Sequence, residues 1–358
     1  MDRNFESIII GGGQSGLSVA YFLRRFKIKY LILDQEKESG GSWLHTWDSL
    51  KLFSPTEYSS LSGWQMPKST EEYPSKNELL KYLKAYEERY KFPILRETKV
   101  VRVAKTEMGF RIETNKGNFF CKTLISATGT AQNYFIPKYK HYDKFKGIKM
   151  HSVDYRNSNP FKSKKVILVG SGNSGAQILS EISKVAETKW ISIRKPVFLP
   201  EGIDGRDLFN QANANYHQTG NKISISLADI VQVESVRDGV RRNIYHDYKP
   251  FDAFYEDGVV WKNGQKEHFD AVIWCTGFKA NLKHLTDLNL EKDGRIETKL
   301  THCAQEPALW LVGYGNWTGY ASATLYGVGK TAKQTATELI NYLNEQKNPN
   351  SGSFDKIQ

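Results

Sequence analysis

The chain has 358 residues, of which 39% are hydrophobic and 25% are charged, and its formal net charge is +11. This length favours two domains over one core, and the chain lacks an apolar run of the roughly 18 residues that a membrane-spanning helix needs. The positive charge would suit nucleic-acid binding, but the Lys and Arg residues are scattered along the chain. We therefore expect the charge to attract small phosphorylated ligands instead.

Two further features bound the class of protein. A strand that begins near residue 6 leaves little room for a signal peptide, which predicts a cytoplasmic protein. The three cysteines, Cys121, Cys275 and Cys303, lie far apart, without the spacing of a redox pair or a metal site. We expect them to be structural thiols, and we predict no metal site.

The first recognisable unit occupies residues 6–34. A short apolar run at residues 6–10 is typical of a buried parallel strand, and it leads into Gly11-Gly-Gly-Gln-Ser-Gly16 and a helical pattern at residues 17–25. A G-x-G-x-x-G turn between a strand and a helix predicts a dinucleotide site, with the helix N-terminus facing the pyrophosphate. The next strand, residues 30–33, ends in Asp34, whose carboxylate would accept hydrogen bonds from a ribose.

The following segments are less specific. Gly40-Gly-Ser-Trp43 and the aromatic stretch at residues 52–64 would suit either the walls of a flat ring system or a core under a long loop. A helix is predicted over residues 77–90 with Ser75 as its cap. Strands at residues 99–103 and 110–114 and a hairpin turn at residues 115–117 precede a strand that ends in Thr128-Gly129.

A second unit repeats this order. Residues 164–169 are again a strand, Gly170-Ser-Gly-Asn-Ser-Gly175 is again G-x-G-x-x-G, and residues 176–185 are again a helix. The next strand, residues 189–193, ends in Arg194-Lys195 instead of an acid. Cations suit a ribose 2′-phosphate and a carboxylate suits a free 2′-hydroxyl, so the first turn predicts FAD or NAD and the second NADP, without excluding NADH. Both cations could instead point into solvent.

The parallel continues to the C-terminal side. A hairpin at residues 258–264 leads to a strand that ends in Thr276-Gly277, as the first unit ends in Thr128-Gly129. Residues 145–155, between the units, form a loop-like run, and residues 196–249 fit no simple pattern. A strand at residues 309–312, then Asn316 and a helix over residues 329–344, would return the chain to the first unit. Residues 347–358 are expected to be a disordered tail.

These elements predict an α/β fold with two nested Rossmann-like dinucleotide-binding domains, the NADP domain being inserted in the FAD domain. The predicted FAD domain comprises residues 1–155 and 278–346. The predicted NAD(P)H domain comprises residues 156–277, with residues 196–249 as an excursion over the cofactors or as a partner surface.

Residues 145–155 contain the pattern F-x-G-x-x-x-H-x-x-x-Y, at Phe145, Gly147, His151 and Tyr155. Together with both glycine-rich turns and both Thr-Gly pairs, this pattern resembles the fingerprint of the flavin-containing monooxygenase family, closest to its short bacterial members. Relatives that catalyse Baeyer–Villiger reactions end the fingerprint in Trp, so Tyr155 favours oxygenation of nitrogen and sulfur. Many members also carry an Asn near the flavin. The corresponding residues 54–67 have none, and Gln65 is a guess for its replacement.

The turns and the resemblance together imply two sets of cofactor-binding residues. The FAD set is Gly11, Gly13, Gln14, Ser15, Gly16, Asp34, Gln35, Gly41, Ser42, Trp43, Val101, Ala127, Thr128, Gly129 and Asn316. The NADP set is Gly170, Gly172, Asn173, Ser174, Gly175, Arg194, Lys195, Thr276 and Gly277. No catalytic side chain is predicted, because the cofactors would carry the chemistry. His151 is expected to hold the crossing segment rather than to touch the substrate.

The resemblance implies a specific reaction. NADPH would reduce FAD, O2 would add to give a C4a-(hydro)peroxyflavin, and a sulfide, an amine or, by Baeyer–Villiger reaction, a ketone would take one oxygen. An FAD-dependent NADPH reductase or oxidase without oxygen transfer is the main alternative, and a non-catalytic redox sensor is a further one. The expected partner is a small-molecule substrate, with no nucleic acid and no membrane, and a homodimer is left open.

Overall fold

The computed structural model describes residues 3–208 and 229–347. Its α-helices are α1 Gln14–Arg25, α2 Lys76–Tyr90, α3 Asn173–Ile182, α4 Glu234–Arg241 and α5 Leu325–Lys347. Its strands are β1 Asn4–Ile10, β2 Tyr30–Leu33, β3 Ile94–Leu95, β4 Val100–Thr106, β5 Gly109–Thr114, β6 Gly117–Ser126, β7 Ile148–His151, β8 Lys165–Val169, β9 Glu187–Ile191, β10 Asp247–Tyr248, β11 Ala253–Tyr255, β12 Gly258–Val260, β13 Lys266–His268, β14 Ala271–Trp274, β15 Glu291–Lys292, β16 Arg295–Ile296, β17 Thr298–Lys299, β18 His302–Cys303 and β19 Leu309–Leu311. The predicted tail beyond Lys347 and residues 209–228 of the predicted excursion lie outside the described residues.

The first of the two larger sheets has nine strands, in the order β17-β18-β19-β6-β1-β2-β3, with the hairpin β4–β5 attached to β6. Strands β19, β6, β1, β2 and β3 are mutually parallel. Ile8 and Ile9 of β1 are fully buried, as expected for a parallel strand covered on both faces. The predicted hairpin turn is confirmed by the pairing of Thr114 with Gly117. The predicted return of the chain is also seen, because β19 pairs with β6.

The second sheet is parallel throughout, in the order β10-β9-β8-β14-β7. Strand β7 lies in the fingerprint segment, so the expectation of a loop there is wrong. Its four residues have no local hairpin partner and become a strand because Ile148–His151 pair with Ala271–Trp274 of β14, far along the chain. Since β7 belongs to this sheet, we propose that the second domain begins before Ile148 rather than after residue 155.

The helices follow local sequence signals. Helix α2 begins as predicted after Ser75, whose hydroxyl accepts a hydrogen bond from the Glu78 N–H while the Glu78 carboxylate accepts one from the Ser75 N–H. Helix α5 begins at Leu325, earlier than predicted. Helix α4 lies in the segment for which no pattern was recognised. The spacing of Val233, Val236 and Val240 is the sequence signal that could have revealed it, and in the structure Val233 and Val236 are buried.

The buried side chains form three clusters that do not coincide with the two sheets. One cluster packs on the face of the first sheet that carries Ile8 and Leu124, and another packs on the face of the second sheet that carries Ile167 and Trp274. The largest cluster is shared, since it contains Leu17 of α1 as well as Leu179 of α3. It therefore joins the two nucleotide-binding units through one continuous core.

Two crossing segments connect the sheets and run side by side. They follow the two Thr-Gly pairs, and the Phe135 N–H donates to the Gly277 carbonyl at 2.9 Å. The Lys279 N–H donates to the Asn133 carbonyl at 2.7 Å, and Tyr134 and Phe278 form an antiparallel bridge. The repeated Thr-Gly endings thus mark a paired ribbon between the domains.

Candidate functional site: a nucleotide cavity and a second glycine-rich turn

A cavity of about 870 Å³ lies at the carboxyl ends of the parallel strands of the first sheet. Gly11, Asp34 and Ala127, which directly follow β1, β2 and β6, all line it. Ligands of open α/β sheets bind outside the carboxyl ends of the strands. The volume is within the range of ligand and cofactor pockets.

The first glycine-rich turn packs closely against the backbone of a neighbouring segment. Gly11 has φ +107°, and a Cβ at this position would lie 2.5 Å from the Ala127 carbonyl oxygen. The second turn repeats this geometry, since Gly170 has φ +129° and its Cβ would lie 2.2 Å from the Cys275 carbonyl oxygen. Both positions require glycine, because a left-handed φ and a backbone neighbour would each exclude a side chain.

The helix after each turn offers N–H groups to an anion. Helices α1 and α3 begin directly after Gly13 and Gly172, which provide no side-chain cap. The first N–H groups of a helix lack intrahelical partners, and the helix dipole places partial positive charge there. A phosphate group fits both positions.

Asp34 lies beside the first glycine-rich turn, where a Cβ on Gly12 would be 2.6 Å from its Oδ2 atom, and it is almost completely buried. Burial raises the pKa of its carboxyl group, and the adjacent guanidinium of Arg96 opposes this shift. Arg96 bridges Asp34 to the Glu87 carboxylate, so the acid is held in a fixed orientation. Sequence reasoning found Asp34 but not Arg96, whose role depends on a contact across 62 residues of chain.

Gln14 holds the cavity wall together. Its side-chain N–H₂ donates to the Ala323 carbonyl at 2.7 Å, and its carbonyl accepts from the Trp43 indole N–H at 2.9 Å. One side chain of α1 therefore fixes both the short 3₁₀ helix Gly41–His45 and the segment that precedes α5. The resulting wall combines an indole with backbone, as a flat ring system requires.

The structure brings almost the whole predicted FAD set into this cavity. The set lines it with two exceptions, Gly16 and Asn316. Gly16 lies behind the turn, where a Cβ would be 1.9 Å from the Gly11 carbonyl oxygen. Asn316 itself does not line the cavity, but Gly313 and Ala323 on either side of it do. Sequence reasoning missed several lining residues that no local motif marks: Glu36, His45, Thr98, Tyr134, Asp154, Arg156, Asn281, Lys283 and His284.

His284 belongs to a buried polar network in the cavity wall. Its Nε2 lies 2.9 Å from the Ser126 hydroxyl, which is 2.5 Å from the Tyr314 hydroxyl. The Thr128 hydroxyl is 2.7 Å from the same tyrosine. Burial lowers the pKa of His284 to about 4, so its imidazole is neutral at pH 7.

Two exposed cations follow β9, the strand that comes after the second turn and α3. Arg194 and Lys195 are exposed at the end of β9, and within residues 3–208 and 229–347 neither forms an ion pair. The predicted ligand Asn173 uses its side chain internally, because its N–H₂ donates to the Asp229 carbonyl and its carbonyl accepts from the Val231 N–H, each at 2.9 Å. Thr276 and Gly277 bond to Phe135 of the crossing ribbon. Ser174 and Gly175 lie in the first turn of α3.

The fingerprint side chains are buried rather than exposed to the cavity. Phe145 packs in the core of the second sheet, and a Cβ on Gly147 would lie 2.3 Å from its ring. His151 is 1% exposed, accepts a hydrogen bond at Nδ1 from the Val153 N–H, and stacks on Tyr134 at 4.8 Å. Burial lowers the pKa of His151 and raises that of Tyr155. Among the described lining residues the fingerprint contributes none, although Val153 and Asp154 between its positions do.

Gln65, the guessed replacement for the family's Asn, is exposed and lies outside the cavity lining described here.

In the described ranges, no helix is long and apolar enough to cross a membrane.

Two sheets, each with a core of parallel strands and a matched glycine-rich turn, define a class of oxidoreductases with two dinucleotide sites. The family model for pyridine nucleotide-disulphide oxidoreductases matches residues 8–313 of the chain. The uncharacterised oxidoreductase CzcO of Bacillus velezensis is 32% identical over 342 residues, covering 94% of this chain and 99% of that protein.

Solved structures sharpen the assignment. A flavin-containing monooxygenase from Stenotrophomonas maltophilia is 41% identical with a TM-score of 0.88, and a mutant of the flavin monooxygenase from this organism is 42% identical with a TM-score of 0.89. In both comparisons the alignment covers 96% of this chain and 100% of the other. The chain belongs to the flavin-containing monooxygenase family.

Proposed function

We propose that this protein is an FAD-dependent, NAD(P)H-consuming monooxygenase that oxygenates soft nucleophiles such as sulfides and amines. Ketones are a further substrate class, through the Baeyer–Villiger reaction. The observation that carries the proposal is the pairing of a cavity beside the glycine-rich turn of the first sheet with a second glycine-rich turn of the same geometry on the neighbouring sheet.

FAD fits the first cavity. Helix α1 would hold its pyrophosphate, Asp34 would accept hydrogen bonds from its ribose, and Trp43 would contribute an apolar wall. NADPH fits the second turn, where α3 would hold the pyrophosphate and Arg194 and Lys195 would pair with the 2′-phosphate. When both are bound, they supply hydride transfer and the activation of O2.

The chain itself would bind, orient and shield the two cofactors. We assign the FAD domain to the first sheet, the residues before Ile148 and those after Gly277. The NAD(P)H domain then contains the second sheet. The shared core between α1 and α3 supports a fixed relation between the two sites.

A product balance tests the proposal. Purified protein with FAD should convert NADPH, H⁺, O2 and an aryl methyl sulfide into NADP⁺, water and the sulfoxide, with one sulfoxide formed per NADPH consumed. With ¹⁸O2, the sulfoxide should carry the label. The matched control omits the sulfide, and any NADPH then consumed should appear as H2O2.

The alternative, a reductase or oxidase without oxygen transfer, predicts a different balance. NADPH oxidation would yield stoichiometric H2O2 with and without the sulfide, and no labelled sulfoxide. Stoichiometric H2O2 in the presence of the sulfide, together with the absence of labelled sulfoxide, would refute the oxygenase.

A further inference from the structure

The described part of the predicted excursion forms a connection between the two domains. We call residues 197–206 and 229–237 the strap. Its two arms are bonded together, because the Leu199 N–H donates to the Ile230 carbonyl at 2.9 Å and the Ile230 N–H donates to the Val197 carbonyl at 2.8 Å. Asn173, the first residue of α3, binds the second arm through both atoms of its side-chain amide. The strap is therefore fastened directly beside the second glycine-rich turn.

The first arm reaches across to the first domain. The Gly205 N–H donates to the Phe53 carbonyl at 2.8 Å, and a Cβ on Gly205 would lie 2.6 Å from the Ser54 Cβ. Only a residue without a side chain can approach this closely. The strap thus contacts the segment that directly follows Leu52 of the shared core.

A buried carboxylate fixes this contact. Asp204 is 0% exposed, and it accepts hydrogen bonds from the Tyr73 hydroxyl at 3.2 Å and from the Arg206 N–H at 2.8 Å. The Arg206 guanidinium adds bonds at 3.0 Å to each carboxylate oxygen. A buried carboxylate without partners would be costly, so this geometry is strongly determined. Tyr73 is the partner that comes from the first domain.

A second contact between the strap and the first domain involves Glu72, the residue before Tyr73. The Arg237 guanidinium of α4 binds the Glu72 carboxylate at 2.9 Å. Glu72 and Tyr73 are adjacent, so both contacts attach the strap to the same segment of the first domain. An ion pair of this exposure contributes little alone, and the buried Asp204–Tyr73 bond is the stronger restraint.

We propose that the strap sets the position of the nicotinamide site relative to the flavin cavity, with Tyr73 and Asp204 as positioning residues. The proposal rests on the proposed function. One end of the strap is held at α3 and the other at the first domain, so a loosened Tyr73 contact would let the second turn move relative to the cavity. Hydride transfer needs the two reacting atoms within about 3.5 Å, so small shifts of the domains matter.

The test uses the holoprotein in anaerobic rapid mixing with NADPH. Tyr73→Phe removes only the hydroxyl, and we expect the flavin reduction rate at saturating NADPH to fall by about tenfold or more. FAD content should remain unchanged. Tyr86→Phe is the matched control, since it loses a buried hydroxyl-to-carbonyl bond of 2.7 Å to Ser62 within the first domain. Its reduction rate should equal that of the unsubstituted protein.

A second readout does not require turnover. The Gly205 N–H bonds to the first domain, so its hydrogen exchange reports the closed strap. Tyr73→Phe should increase exchange at residues 204–206 without NADPH present, whereas Tyr86→Phe should not. Asp204→Asn, which removes the charge and keeps the shape, should reproduce both effects if Tyr73→Phe fails to fold.

The outcomes separate the two proposals. Equal reduction rates and equal exchange for Tyr73→Phe and Tyr86→Phe would overturn the strap inference and leave the monooxygenase intact. A protein that folds with FAD but is not reduced by NADPH or NADH in its unsubstituted form would overturn the proposed function instead. Faster exchange without any change in reduction rate would show a merely structural contact.

Discussion

The two glycine-rich turns have almost the same backbone and opposite surroundings. Gly11 and Gly170 share a positive φ and a close approach to the carbonyl that ends a neighbouring strand. Beyond the first turn, the residue that would bind ribose is a buried acid, Asp34, clamped by Arg96. Beyond the second turn, Arg194 and Lys195 are exposed.

We propose that this difference separates a resident cofactor from an exchanging one. A deep cavity with a buried, pre-oriented acid suits a cofactor that remains bound, because the orientation has already been set during folding. Exposed cations suit a ligand that arrives and leaves in each turnover, because they attract phosphate directly from solution. The predictions below test this contrast, from the largest expected effect to the smallest.

The glycines give the largest contrast. Gly11→Ala should weaken FAD binding by roughly 100-fold or more, because the new Cβ would be strained and would overlap backbone. Gly170→Ala has the same local clash but should keep its FAD and lose NADPH affinity. FAD absorbance per protein and the KM for NADPH measure the two effects. Equal loss of FAD in both variants would contradict the assignment of the two sites.

The next largest effect is the pH dependence of stability that arises from the buried His284. Its pKa is lowered to about 4, so the folded state resists the protonation that the unfolded state undergoes near pH 6.5. Stability is therefore fully present above about pH 6.5 and is lost as the pH falls towards 4, by about 3 kcal/mol in total. Thermal unfolding of the holoprotein and of His284→Gln between pH 7 and pH 4 measures this, and the variant should show the smaller pH dependence. Parallel pH curves would exclude His284 as the source.

The next smaller effect is expected at Asp34, the proposed ribose-binding acid. Asp34→Asn should weaken FAD binding by about tenfold to 100-fold, because a hydrogen bond to a charged group contributes roughly 1.5–3 kcal/mol. Fluorescence titration of the apoprotein with FAD gives the dissociation constant. Asp252→Asn is the control, since Asp252 forms an exposed ion pair with Lys140 in the other half of the molecule. A normal FAD affinity in Asp34→Asn would show that the Asp34 carboxylate does not contribute to FAD binding.

The exposed cation gives the smallest effect. Arg194→Ala should raise the KM for NADPH by about tenfold through the lost phosphate contact and leave the KM for NADH nearly unchanged. Steady-state kinetics with both nucleotides decide this, with Lys162→Ala as an exposed control near the opposite end of β8. Equal changes for NADPH and NADH would refute a 2′-phosphate site at Arg194.

Local patterns were sufficient for a large part of this architecture. The turns at Gly11 and Gly170, the cap at Ser75 and the hairpin at residues 114–117 depend on neighbours within a few positions of the chain. Such elements are predictable because sterics and capping hydrogen bonds act over short distances. Strand β7 and helix α4 were missed because their stability comes from distant partners, β14 and α3.

The residues of the candidate site also divide into those that local sequence patterns predict and those that depend on distant contacts. Almost all of the predicted FAD residues line the cavity, because strand ends and glycine-rich turns meet at the carboxyl edge of any such sheet. Arg96 and His284 could not be predicted, since nothing adjacent to them in the chain indicates a cofactor. Asn173 was assigned to the cofactor from its motif position, yet its amide is bonded to the strap.

The sequence alone determined that this protein has two dinucleotide-binding units, the order of their elements, and the opposite charges that follow the second strand of each unit. Those properties follow from short-range backbone geometry and residue chemistry. Only the tertiary structure decided that one core joins the units, that the two Thr-Gly endings pair in one ribbon, and that Asp204 meets Tyr73 across the domains. Contacts over 131 residues of chain depend on how whole surfaces pack, and no local pattern encodes them.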